Sequence, residues 1–198
     1  MRVVAGEARG RPLLAPKGRS VRPTTDRVRE SIFNALVSLD AVEGARVLDL
    51  FAGTGALGIE ALSRGAAHCT FVERDPAARA IVVRNLDATG LADRAEVVAG
   101  DAERWLRTRQ EGGPDDPCTP GAFDLALLDP PYDYDGWSAL LTAIPTRLLV
   151  IESDREVAVP EGWRVVRHKR YGSTLVVIAR AADPGADGGR AVGDGPGA

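Results

Sequence analysis

Gly53, Gly55 and Gly58 spell a GxGxxG pattern directly after the apolar run 46–51 and at the opening of a helical stretch. Glycines at this spacing let a chain turn tightly from strand to helix and bring its backbone within contact distance of a ligand. Glu73 stands 20 residues after Gly53, at the end of the next apolar run. A carboxylate there accepts both hydroxyls of an adenosine ribose, so the pair predicts a nucleoside-cofactor site rather than a merely tight turn. Asp49 lies just before the glycines, close to where the pyrophosphate of a dinucleotide would sit on the helix N-terminus. A carboxylate suits an amino group better, such as that on the methionine half of S-adenosylmethionine. It can equally hydrogen-bond loop amides. Asp101, in Gly100-Asp101-Ala102, can meet an adenine amino group, cap the following helix, or do both.

A second motif, Asp129-Pro130-Pro131-Tyr132, follows the apolar run FDLALL. Two successive prolines remove two N–H donors, so the local backbone presents acceptors only. Acceptors are what an exocyclic base amine requires. The lone pair of that nitrogen is conjugated into the ring and attacks poorly. Hydrogen bonds from its two N–H groups to the Asp129 carboxylate and the Pro130 carbonyl favour a more tetrahedral nitrogen aimed at a methyl group. Tyr132 can stack on the base. A sulfonium is already an excellent leaving group, so positioning and local electrostatics suffice without a metal.

Alternating elements must hold these groups. Apolar runs at 46–51, 69–73, 95–100, 123–129 and 147–153 read as strands, the first four separated by amphipathic stretches that read as helices. Such alternation means an α/β chain with a parallel sheet covered on both faces. WRVVRHKRY and TLVVIAR flank Gly172-Ser173 and predict an antiparallel hairpin at the sheet edge. VVAGEARGRPLLAP suggests a small N-terminal hairpin. A helix follows it, capped by Thr24 or Thr25, with Val28, Ile32, Ala35, Leu36 and Leu39 on one face and Arg27 and Arg29 elsewhere. The stretch 111–122 reads as an exposed loop, and the tail 181–198 has too little to bury to stay ordered.

The chain has 198 residues, 44% hydrophobic and 27% charged, enough for the core of one soluble domain. No apolar run approaches the roughly 20 residues that span a bilayer, and the arginines near the start precede no apolar stretch. Cys69 and Cys118 are too few for a disulfide framework, and with His68 and His168 they make a metal centre an unfavoured reading. A reduced cytoplasmic protein is expected. The formal net charge of -3 is segregated: +5 over residues 1–30, -11 over 31–162 and +3 over 163–198. Phosphate binding depends on local charge, so the basic ends keep a nucleic-acid partner open, against the alternative of a solvated basic face.

Five stretches together resemble a known family: RPTTDRVRESIFN (22–34), VLDLFAGTGALGIEALSRGA (47–66), FVERDP (71–76), LLDPPY (127–132) and KRYGSTLVV (169–177). The sequence is similar to the bacterial 16S ribosomal RNA guanine-N2 methyltransferases, with the Rossmann-like class I S-adenosylmethionine-dependent fold. DPPY is shared with other amino-methyltransferases; the first two stretches carry the assignment. The resemblance implies a seven-stranded, mostly parallel sheet with an antiparallel C-terminal hairpin. It implies an RNA-binding extension over 1–40 (hairpin plus helix) and a methyltransferase domain over 41–180; the loop at 111–122 and the tail over 181–198, expected to be disordered, depart from the family's pattern. It implies S-adenosylmethionine contacts at Asp49, Ala52, Gly53, Gly55, Glu73, Arg74, Asp101 and Ala102, and base contacts at Asp129, Pro130, Pro131 and Tyr132. Arg22, Arg27 and Arg29 in the first stretch, with Arg167, Lys169 and Arg170 in the last hairpin, are then expected to grip RNA phosphates around an extruded base. His168, Trp105 and Trp163 read as structural residues, with Trp137 open to a role beside the base. The expected partner is 16S ribosomal RNA or a small-subunit particle, bound by a monomer without metal. The competing readings are an adenine-N6 methyltransferase, an NAD-type oxidoreductase using the same glycines, and a non-catalytic RNA-binding assembly factor.

Overall fold

In the computed structural model, which describes residues 1–15, 25–110 and 122–182, five parallel strands are completed by an antiparallel pair. They are β1 (Arg46–Leu50), β2 (His68–Glu73), β3 (Ala95–Ala99), β4 (Phe123–Leu128), β5 (Thr146–Ser153), β6 (Trp163–Tyr171) and β7 (Thr174–Ala181). The sheet order is β3-β2-β1-β4-β5-β7-β6. From β1 the chain steps outward to β2 and β3, then returns to lay β4 on the other side of β1. That reversal opens a crevice at the carboxyl ends of β1 and β4, where doubly wound sheets bind ligands. The final hairpin turns at Gly172-Ser173 as expected, but it is β7 that pairs with β5, leaving β6 as the edge. Composition explains the choice: TLVVIA is apolar on both faces and suits an interior strand, whereas the arginines and lysine of RVVRHKR guard an edge.

Helices cover both faces. On one side lie α1 (Asp26–Ser38), α2 (Ala56–Ser63) and α3 (Pro76–Thr89), over Val47, Leu125, Leu127 and Val150. On the other lie α4 (Ala102–Gln110) and α5 (Trp137–Ala143), over Leu48, Leu50, Ala126 and Leu149. α5 occupies a stretch to which the sequence reading assigns no element, although Trp137, Leu140, Leu141 and Ile144 stand at helical spacing. Burying β1 and β4 on both faces is worth roughly 1.5–3 kcal/mol per Val or Leu before entropic costs. The cap of α1 is Thr25, whose Oγ1 accepts from the Val28 amide at 3.3 Å. Pro76 opens α3 behind its Asp75 cap. Among the described residues no helix is long and apolar enough to cross a membrane.

The N-terminal hairpin is present as one antiparallel bridge, Arg2 to Pro12, and it does not stand apart from the sheet. Val3, Ala8 and Leu13 join the core cluster of α1 to α3. A buried carboxylate ties the pieces together. Glu60 of α2 accepts from the Val4 amide (2.8 Å), the Ala5 amide (3.0 Å), Arg64 Nε (2.8 Å) and Arg29 Nε (3.4 Å). Arg29 also donates to Asp26 at 2.9 Å and to the Arg2 carbonyl. This corrects the expectation that Arg29 grips phosphate: its side chain is 0% exposed and its fork is spent inside the protein. Arg29 precedes Ile32, Phe33 and Leu36 by three, four and seven positions, so it belongs to the buried face of α1. Arg22, residues 111–121 and residues 183–198 lie outside the described residues.

Candidate active site

The chain leaves β1 through a sharp turn. Phe51 adopts a positive φ of 61°, and Gly55, at 77°, forms the N-cap of α2. A side chain on Gly55 would face both that backbone strain and the packed Val82, Ile59 and Phe71. At Gly58 the constraint is contact instead: an added Cβ would lie 2.3 Å from the Phe71 ring and 2.7 Å from Cys69 Sγ. The last glycine therefore lets α2 press onto β2. Two carboxylates organise the turn. Asp49 accepts from the Gly58 amide at 2.9 Å, which is the loop-amide role open to it from sequence. Glu73 accepts from the Gly53 amide with one oxygen and from the Asp75 amide with the other, both at 2.8 Å. The Ala52 amide donates to the Val72 carbonyl, fixing the turn to β2. Asn85, fully buried in α3, donates to the Thr54 carbonyl at 2.9 Å and bonds both backbone groups of Leu14. No feature of the GxGxxG pattern points to Asn85. Its place on the buried face of α3, between Val82 and Thr89, is the only trace in the sequence.

Strand register lines up the charged groups. Leu50 pairs with Val72 on one side and Leu128 on the other, so Glu73 and Asp129 emerge from the strand ends at one level, flanking β1. Asp49 lies one layer deeper. Burial pushes its carboxyl well above the ordinary range; the Gly58 hydrogen bond offsets part of this, and the charges of Asp129 and Glu73 push it further up. A cationic ligand would relieve that field, whereas a pyrophosphate would worsen it. Next door, Asp101 Oδ1 accepts from the Arg104 amide at 3.1 Å, the capping role, while its Oδ2 lies 4.0 Å from Arg74. Ala102, the first residue of α4, is buried.

Beyond β4, Pro130 is buried and Tyr132 is 41% exposed. A turn closes from the Tyr134 amide to the Pro131 carbonyl at 2.9 Å. Tyr134, which has no part in the DPPY motif, anchors this loop. Its ring meets Phe51 at 5.1 Å and Trp137 at 5.3 Å between centroids, and its hydroxyl donates to Glu103 of α4 at 2.9 Å. Burial first, then the Glu103 hydrogen bond, raise the phenol's pKa, so it stays a neutral donor. Trp137 thus packs behind the loop, as Trp105 and Trp163 pack against the same core cluster.

The basic residues divide. Arg27 on α1 and Arg167 and Lys169 on β6 line one open groove with Ser31 and Tyr171, whose hydroxyls are hydrogen-bonded. Arg170 pairs with Leu175, whereas Lys169 pairs with Val176, and those two partners belong to opposite core clusters. Lys169 and Arg170 therefore serve opposite faces of the sheet edge. His168 lies at that edge, with Nε2 3.1 Å from Glu156.

A reversed doubly wound sheet, a glycine turn framed by two strand-end carboxylates, and an antiparallel final hairpin define a Rossmann-like α/β methyltransferase. Its family is the one described as conserved hypothetical protein 95, whose model matches residues 1–180; the chain belongs to it. The curated relatives include Bacillus subtilis YlbH, provisionally named an rRNA methyltransferase. It is 44% identical over 190 residues, covering 90% of this chain and 97% of that protein. Ribosomal RNA small subunit methyltransferase D of Escherichia coli K12 is 37% identical over 187 residues, covering 87% and 85%. Among solved structures, Escherichia coli yhhF, provisionally described as a methyltransferase, superposes with a TM-score of 0.75 at 34% identity. That match covers 91% of this chain and 97% of the other.

Proposed function

We propose that this protein transfers a methyl group from S-adenosylmethionine to the exocyclic N2 amine of a guanine in 16S ribosomal RNA of the small subunit. The observation that carries the reading is the opposition of two loops across β1: the acidic glycine turn with Asp49 and Glu73, and Asp129-Pro130-Pro131-Tyr132, whose two prolines offer carbonyls and no N–H. The names of the rRNA methyltransferase relatives supply the substrate class.

The acidic field fits a cofactor that brings an ammonium and a sulfonium and no phosphate. Glu73 is the ribose ligand, Asp49 faces the methionine half, and Asp101 faces the adenine. Backbone from Ala52 to Gly55, with Arg74 and Ala102, would complete the surface that holds the cofactor. When bound, S-adenosylmethionine supplies a methyl on a good leaving group. The protein's own task is to present the amine. Asp129 and the Pro130 carbonyl accept hydrogen bonds from its two N–H groups and Tyr132 stacks on the ring; as the N–C bond forms and the S–C bond breaks, the methylated nitrogen gives up one proton.

Arg27, Lys169 and Arg170 grip phosphates either side of the extruded guanine, with Arg22 assisting from the same N-terminal segment. Register sets Arg170 three strands from the DPPY loop, or about 14 Å at an interstrand spacing of ~4.8 Å, a reach of a few nucleotides. The extension over 1–40 is the RNA-binding part and 41–180 the catalytic domain, acting in the cytoplasm as a monomer.

Asp129 variants test the reading. Single-turnover methylation should fall on the order of a hundredfold in Asp129→Ala and less in Asp129→Asn, with S-adenosylmethionine binding retained. Near-wild-type turnover by the alanine variant would remove Asp129 from the chemistry.

A further inference from the structure

Arg155 follows β5 and belongs to neither sequence motif. Its guanidinium nonetheless reaches the loop after β4: Nη1 donates to the Tyr132 carbonyl and Nη2 to the Tyr134 carbonyl. A planar fork suits two such acceptors, and a lysine ammonium does not reproduce it. The arginine is itself braced. Its own carbonyl accepts from Ser153 Oγ at 2.6 Å, and Asp154 lies 3.9 Å from Nη1. The opposite side of the loop is held by Tyr134 against Phe51 and Glu103. The segment is therefore fixed from two directions, by the β5 end on one side and by the β1 turn and α4 on the other.

We propose that Arg155 is a positioning residue for the target base, acting through the Tyr132 and Tyr134 carbonyls rather than as a contact to RNA. The inference rests on reading Asp129 to Tyr132 as the base-binding loop. The fork holds the loop carbonyls, and with them the backbone that carries Tyr132, at a set distance from the end of β5. Without it the loop keeps its Tyr134 anchor but gains freedom on the side that stacks and orients the base. A misplacement of about 1 Å at a reacting group lowers rates by roughly a hundredfold. Looser positioning should appear in turnover, not in affinity.

The experiment compares wild type, Arg155→Ala and Arg155→Lys in single-turnover methylation of small-subunit ribosomal RNA. S-adenosylmethionine affinity, melting temperature and the salt dependence of RNA binding are measured in parallel. Both variants should lose about 10- to 100-fold in the rate at saturating RNA. Cofactor affinity, melting temperature and salt slope should stay at wild-type values. Either of two results overturns the inference: full rescue by lysine, or a slope shallower by about one unit. Both would make Arg155 a charge on the RNA. A rate within about threefold of wild type in Arg155→Ala overturns it too, as does loss of cofactor binding or stability in step with the rate. An inactive wild-type chain would overturn the proposed function and this inference together, whereas an active wild type with unaffected variants would overturn this inference alone.

Discussion

Replacing Arg29 by alanine removes a charge that has no exposure and that, among the described residues, bonds to Glu60 at 3.4 Å, to Asp26 at 2.9 Å and to the Arg2 carbonyl. Breaking a buried pair by deleting one member typically destabilises by about 3–5 kcal/mol, because the other charge stays buried. Glu60 keeps three donors, the Val4 and Ala5 amides and Arg64, and Asp26 is partly exposed to water. These compensations put the expected loss at the lower end, about 3 kcal/mol. For a chain of this length each kcal/mol moves the melting temperature by roughly 2–4 °C, so a drop of about 6–12 °C is expected. Arg29→Lys should fall between the two, since one ammonium cannot serve Glu60, Asp26 and Arg2 at once. Thermal and urea unfolding measure the loss. RNA titrations at several salt concentrations, run below the lowered melting point, should return an unchanged slope. A melting temperature within about 2 °C of wild type, combined with a shallower salt slope, would return Arg29 to the RNA-facing surface and refute the buried-hub account.

The exposed cations should behave in the opposite way. Arg27→Ala and Lys169→Ala should each flatten the salt dependence of RNA binding by about one unit of slope with little change in melting temperature, and an unaltered slope would leave them as a solvated face. Glu73→Ala should weaken S-adenosylmethionine binding by calorimetry while RNA affinity holds; equal cofactor affinity would exclude the ribose role. Asp49 offers a pH test. Its carboxyl is raised in the folded state, so the fold binds that proton more tightly than the unfolded chain does. The associated stability is present below the ordinary carboxylate value, about 3.9, and is lost as pH rises through the raised folded value. Asp49→Asn keeps an acceptor for the Gly58 amide and removes the charge. Its stability relative to wild type, measured by urea unfolding, should therefore increase with pH across that window. A difference independent of pH would contradict the buried-carboxylate assignment.

Local patterns in the sequence expose most of the scaffold. The apolar runs place β1 to β5 within a residue or two, since strands buried on both faces need unbroken apolar residues. Thr25, Pro76 and the glycines mark helix starts because their conformational demands are local. The same locality brings Asp49, Glu73 and Asp129 into view, the last two at the ends of apolar runs and Asp49 inside one. Charge type misleads where spacing does not. Arg29 reads as one more arginine of a basic segment, yet its helical relation to Ile32, Phe33 and Leu36 puts it inside. Lys169 and Arg170 read as one cluster, yet strand alternation sends them to opposite faces. The supports of the DPPY loop are hidden for another reason. Arg155 meets Tyr132 and Tyr134 across more than 20 residues, and Tyr134 meets Glu103 across 31, contacts that only the sheet order creates. Around α5, Trp137, Leu140, Leu141 and Ile144 stand at helical spacing, but at seven residues and without a side-chain cap the helix is too short for that spacing to stand out.

The most direct test of the central claim is the identity of the methylated nucleoside. Small ribosomal subunits and their naked RNA, taken from cells lacking the gene, would be incubated with the protein and isotopically labelled S-adenosylmethionine. The RNA would then be digested to nucleosides and resolved by mass spectrometry. The account predicts label in N2-methylguanosine at a single position, abolished or strongly reduced by Asp129→Ala. Label in N6-methyladenosine, or RNA binding without any transferred methyl, would contradict it.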